Sequence, residues 1–105
     1  MSTRATIEFS CDGKSFFVYR HCDGFPEVVK PDIDAAIEKA KRRWPEEEVG
    51  CLVTLFLAMH YDPDKSRLPN YELSTGFAGD ESYRYFVRWD RVNEKWCAIC
   101  EHDDD

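Results

Sequence analysis

PDIDAAIEKAKRRWPEEEVGCLVTLFLAMHYDP, residues 31–63, is the stretch on which the fold turns. Pro31 suits the first position of a helix, where its missing N–H and fixed φ do no harm. Ile33, Ile37, Ala40 and Trp44 then recur at steps of four, three and four and form one apolar stripe. Asp32 and Asp34 fall in the first turn, and Lys39, Lys41, Arg42 and Arg43 in the last, the charge order the helix dipole favours. Pro45 stops this helix and starts another, with Glu46, Glu47 and Glu48 in its first turn. From Val49 to Met59 almost every residue is apolar. Such a helix is either sandwiched between a sheet and the first helix or part of an oligomer interface. Asp62-Pro63 ends it.

Strand signals lie on both sides of this pair. Upstream, Ala5, Ile7 and Phe9 alternate with Arg4, Thr6 and Glu8, the pattern of a half-buried strand. Asp12-Gly13 is a strong hairpin signal, and Ser15 to His21 is the second strand. Asp23-Gly24 and Pro26 end it. Downstream, after a polar loop at 64–70, come Tyr71 to Phe77, Tyr83 to Trp89 and Lys95 to Glu101. Turns at Gly79-Asp80-Glu81 and Val92-Asn93-Glu94 separate them. The order is ββααβββ. Segregated runs of strands and helices predict an α+β fold, a five-stranded, mainly antiparallel sheet with both helices on one face.

The 105 residues fit a single domain, residues 1–105, and 43% hydrophobic with 14% aromatic content suffices for a packed core. A net charge of −7 argues against a phosphate-binding surface, which needs clustered Lys and Arg. It suits solubility or the steering of a basic partner. Direct contact with nucleic acid or with a membrane is not expected. MSTRATIEFS lacks a basic segment followed by an apolar one. The odd set of five cysteines (11, 22, 51, 97 and 100) is therefore read as reduced thiols in a cytoplasm.

Five features could carry chemistry. Arg20, His21, Cys22 and Asp23 are consecutive. They could bind phosphate or transfer protons. The plainer account, preferred here, is that Asp23-Gly24 shapes a turn. Cys97-x-x-Cys100 with His102, and Cys22 or His21 from another strand, could ligate zinc. In a straight strand, however, the two cysteines point to opposite faces, so they are read as small buried hydrophobes and no metal or cofactor is expected. His60 ends the apolar helix, a placement the dipole explains. YRYFVRW, residues 83–89, interleaves arginines and rings as single-strand binders do, but the acidic chain and absent RNP pattern favour a sheet with one open face. Finally, a fold could gather Glu46, Glu47, Glu48, Asp62, Asp64, Asp80, Glu81, Glu101 and the tail Asp103, Asp104 and Asp105 on one edge.

FVYRHCDGFP (17–26) and YELSTGFAGDESYRYFV (71–87) together resemble a family of small uncharacterised proteins from bacteria and their phages. That family carries Y-R-H-x-D-G-Y-P near its start and later T-G-x-x-G-D-E-x-Y-x-Y. The matching residues are Tyr19, Arg20, His21, Asp23, Gly24 and Pro26, then Thr75, Gly76, Gly79, Asp80, Glu81, Tyr83 and Tyr85. Phe25 and Ala78 depart from the pattern, standing where Tyr and His are expected. The resemblance covers about a quarter of the chain. It implies a phage or mobile-element context and no particular activity.

The resulting expectation is a non-enzymatic interaction module that binds a basic host protein in the host cytoplasm. An inhibitor of a nucleic-acid-binding defence protein, in the manner of anti-CRISPR proteins, would be one form. Glu46 to Glu48, Asp80, Glu81 and Asp103 to Asp105 would face that partner. Arg20, His21, Asp23 and Gly24 would be structural, with Arg20 paired to a carboxylate such as Asp80 or Glu81. The alternative is a small enzyme or metal-binding domain built from His21, Asp23, Asp80 and Glu81. Homo-oligomerisation is left open.

Overall fold

The computed structural model describes residues 3–43, 48–63 and 70–102. Trp44, Pro45, Glu46, Glu47, Asp64 and Asp103 to Asp105 lie outside the described residues. The elements run β1 (Ala5–Cys11), β2 (Lys14–Arg20), α1 (Pro26–Arg43), α2 (Val49–His60), β3 (Tyr71–Ser74), β4 (Tyr83–Asp90) and β5 (Lys95–His102). The α+β class and the ββααβββ order are as expected. The sheet is not mainly antiparallel but mixed: its spatial order is β3-β2-β1-β4-β5, and β1 and β4 lie parallel at its centre.

The hairpin β1–β2 follows from its turn. Asp12 and Gly13 both have positive φ, 54° and 78°, as a type I′ turn demands. That turn sets Ile7 opposite Val18 and Thr6 opposite Tyr19.

β4 follows β3 by a different route. Gly79-Asp80-Glu81 reads locally as a hairpin turn, yet β3 and β4 are separated by β2 and β1. The chain crosses three strand spacings, about 14 Å, while residues 75–82 can reach about 26 Å when extended. No helix is needed because β3 is short. It ends at Ser74, which pairs with Phe17, the partner of Glu8 in β1. Phe77 draws the connection over the sheet, packing 5.2 Å from Phe17 and 5.7 Å from Phe86 between ring centroids.

α1 begins five residues before the expected start at Pro31. Pro26 takes the first position, and Phe25 C=O accepts the first bonds, from Val28 and Val29 N–H at 2.9 Å each. The buried stripe accordingly starts earlier, at Val29, and runs through Ile33, Ala36 and Ala40, with Ile37 partly buried beside it. Asp32 and Asp34 are thereby moved out of the first turn, where Glu27 stands. Glu48 is the N-cap of α2 rather than a residue of its first turn. α2 closes at His60, and Asn70 secures the exit: its Oδ1 accepts Asp62 N–H at 2.8 Å and Tyr71 N–H at 2.9 Å.

Both helices cover one face of the sheet. Ala5, Ile7, Phe9, Val18, Tyr71, Tyr85 and Val87 share that face by register and join Val29, Ile33, Leu52, Val53 and Phe56 in one buried cluster. α2 lies beside α1 rather than between it and the sheet, and buries Val49, Leu52, Val53 and Phe56. No described helix is long and apolar enough to cross a membrane.

Candidate functional site

The fold brings the two motif segments together. β2 ends and β4 begins at the same end of β1, so the turn after β2 and the crossover before β4 emerge side by side. Across the uncovered face at that level runs the row Glu72, Tyr19, Thr6, Arg84 and Glu101. The crossover lays Asp80 and Glu81 on this row.

Glu81, expected to face a partner, is buried, with its side chain fully inaccessible. Thr6 Oγ1 and Gly79 N–H donate to its Oε2 at 3.1 and 2.9 Å, and Arg84 Nε donates to its Oε1 at 2.9 Å. Gly79 makes its bond from φ +94°, a conformation that L side chains rarely adopt. A buried carboxylate is tolerated only when paired and hydrogen-bonded, and Glu81 meets both conditions. Ser82 N–H donates to Arg4 C=O at 2.9 Å and completes the attachment to β1. Thr6, which the alternation places toward solvent, is fully buried beneath this loop. Asp80 is half exposed. It accepts the Tyr19 hydroxyl at 2.9 Å and lies 3.5 Å from the Arg4 guanidinium. Burial, and then the bond to Asp80, push the Tyr19 hydroxyl up to about 12.

Arg20 does not pair with either acid. It lies on the helix-facing side of β2, opposite Ala5 and Tyr71, whereas Asp80 and Glu81 sit over the other side. Arg4 and Arg84 take the acids instead. Arg20 Nε donates to Cys22 C=O at 2.7 Å, and its guanidinium rests 4.6 Å from the centroid of the Tyr71 ring. His21 Nε2 is 2.7 Å from Glu72 Oε1, and its ring meets Tyr19 edge-on. Asp23 is exposed at φ 56° and forms the turn. Gly24 is needed for close approach: a Cβ there would lie 2.7 Å from Ala5 Cβ. Its backbone joins the core, donating to Thr3 C=O at 2.8 Å and accepting the Tyr85 hydroxyl at 2.7 Å.

A second polar cluster was not visible in the sequence. Tyr71, fully buried, donates its hydroxyl to Asp32 Oδ2 at 2.7 Å. His60 Nε2 donates to Asp32 C=O at 2.9 Å, and its Nδ1 lies 3.7 Å from Asp32 Oδ1. Burial raises the Tyr71 hydroxyl, and the bond to Asp32 raises it further. Asp32 and His60 each have an explanation from the helix dipole alone, which hides the contact. A buried tyrosine hydroxyl requires a partner, and that requirement is the signal that could have led to it.

Cys97 pairs with Arg88 and Cys100 with Tyr85, which puts the two thiols on opposite faces of the sheet. Burial pushes the Cys100 thiol up. His21 and Cys22 lie by the β2–β3 edge, far from β5 at the other edge. Among the described residues no three His, Cys, Asp or Glu side chains gather as metal ligands would. The described carboxylates gather only in part: Asp80, Glu81 and Glu101 lie on one row, and Glu48 does not join them. Glu48 lies by Cys11, Asp12 and Lys14 at one end of β1, and Asp80 by Arg4 at the other.

The uncovered face carries rings. Phe17, Phe77 and Phe86 pack together, Arg84 lies over Phe77 at 5.0 Å and Arg88 over Phe86 at 4.8 Å. Arg88 also approaches Glu8 at 3.6 Å. Ile99, opposite Phe86, is 56% exposed. Comparison of the chain with protein-family models, with curated proteins and with solved structures finds no match.

Proposed function

We propose that the chain is a non-enzymatic protein-interaction module whose contact surface is the uncovered face of the sheet. One observation carries this reading. The Phe17–Phe77–Phe86 cluster and the exposed Ile99 form an aromatic and aliphatic patch that no described helix covers. Rings and arginines of this kind anchor protein contacts. The net charge of −7 supports a basic partner, which it would steer from a distance while the patch makes the contact. In a phage or mobile-element setting, covering the basic surface of a nucleic-acid-binding host protein would inhibit it.

The alternative, an enzyme or metal-binding domain using His21, Asp23, Asp80 and Glu81, finds less support. Glu81 is sealed in, Asp80 is tied to Tyr19 and Arg4, and His21 is held by Glu72.

The test uses wild-type, Ile99→Glu and Phe77→Ser chains as bait in extracts of the native host, read by quantitative mass spectrometry and then by surface plasmon resonance at two salt concentrations. A partner that Ile99→Glu loses, and whose on-rate falls as salt rises, supports the reading. A partner retained by both variants overturns it.

A further inference from the structure

We infer that a second copy of this chain pairs with the outer edge of β5, antiparallel, to continue the sheet across a twofold axis. This goes beyond the reading above and uses an edge rather than a face.

The two edges of the sheet are unequal. β3 has only four residues, whereas β5 runs for eight, Lys95 to His102, and no described strand lies beyond it. A long edge strand presents a row of backbone donors and acceptors ready for pairing. The outward row is identified by Lys30, whose Nζ donates to Ala98 C=O at 3.3 Å. In an antiparallel ladder alternate residues turn their N–H and C=O the same way. Trp96, Ala98 and Cys100 therefore face outward, and Cys97, Ile99 and Glu101 face β4. Lys30 covers the centre of this row in the single chain, through one long bond from a side chain that water can replace.

Charge selects the partner. β5 begins with exposed Lys95 and carries exposed Glu101 six positions later, next to its last residue. An antiparallel copy centred on Ala98 sets Lys95 against the second copy's Glu101, twice by symmetry. The same register puts Cys97 beside the second copy's Ile99 as a non-hydrogen-bonded pair, both side chains standing on the open face. Parallel pairing in register would instead set Lys95 against Lys95 and Glu101 against Glu101.

Sedimentation of the wild-type chain over a wide concentration series should show a reversible monomer–dimer equilibrium. Lys95→Glu and Glu101→Lys, each at an exposed position, should each weaken the dimer by roughly tenfold. The double charge swap should restore it. Ile99→Cys in a Cys22→Ser background should, on mild oxidation, give a dimer linked from position 99 to Cys97, since such pairs lie within disulfide reach. Circular dichroism checks that each variant is folded. A chain that stays monomeric, or a dimer indifferent to the charge swaps, overturns the inference.

Discussion

Each face of the sheet carries a cluster of rings, and the two differ in what lies above them. On the covered face Phe56 of α2 packs 5.4 Å from Phe9 and 4.9 Å from both His60 and Tyr71, entirely inaccessible between its helix and the sheet. On the other face Phe77 packs on Phe17 and Phe86 but stays 37% exposed, with the Arg84 guanidinium over it. The same residue types thus serve as core in one place and as surface in the other. The difference is whether a second layer of backbone arrives to close the contact. It also separates stability from recognition: apolar area that remains wet contributes little to folding and remains available to a partner.

The largest effect should come from the covered cluster. Phe56→Ala removes a fully buried ring and leaves a cavity walled by Phe9, His60 and Tyr71, so denaturant unfolding should show a loss of about 3–5 kcal/mol. Phe77→Ala should cost about 1 kcal/mol, because much of that ring is already hydrated. Equal losses for the two substitutions would mean that the open face is a second core, and would remove the basis for assigning it to a partner.

The next contrast lies between neighbouring acids. Glu81→Ala strips Thr6, Gly79 and Arg84 of a shared buried acceptor. Removing one member of a buried pair costs about 3–5 kcal/mol. Arg84 is 47% exposed and can regain water, which places the expected loss at the lower end. Asp80→Ala, at a half-exposed site, should cost about 1 kcal/mol or less. Hydrogen exchange should locate the damage: amides of residues 75–82 should lose protection in Glu81→Ala and keep it in Asp80→Ala.

These two acids also mark where the sequence stops being readable. The helices, the β1–β2 hairpin and the alternation of Tyr85 and Val87 against Arg84 and Arg88 were legible, because each is written in residues a few positions apart. The central parallel pair was not. Gly79-Asp80-Glu81 encodes a change of direction but not which strand comes next. That depends on Phe77 finding Phe17, and on Glu81 finding Thr6, 75 positions away. The candidate site was legible as a list and not as a set of bonds. Both motif segments meet, yet Arg4 and Thr6, which receive Asp80 and Glu81, look in the sequence like the polar side of an ordinary strand. The start of α1 was misplaced because Pro26 reads as the end of the second strand and Pro31 as the helix start; Pro26 suits a first turn equally well, and Val29 is buried with the helix stripe.

The smallest expected effect isolates one hydroxyl. Tyr19 holds its proton up to about 12 in the folded chain, against the usual 10, first because it is buried and then because it donates to Asp80. A group whose folded value is raised stabilises the fold fully below its unfolded value and loses that contribution as pH rises through the folded one. Below pH 10 both states keep the proton, and the bond to Asp80 should be worth about 1 kcal/mol. Between 10 and 12 the unfolded chain releases the proton while the folded chain retains it, so this stabilisation fades. Tyr71 and Tyr85, also raised by burial, add to the alkaline loss in the same direction. The wild-type chain alone therefore cannot assign the effect, but its difference from Tyr19→Phe can, since the other tyrosines and the lysines cancel. That difference, measured by denaturant unfolding, should be constant from pH 7 to 9 and shrink steadily above 10. A difference that stays flat through the alkaline range would mean that Tyr19 ionises alike in both states, and that the hydroxyl does not hold Asp80 and the crossover loop to β2.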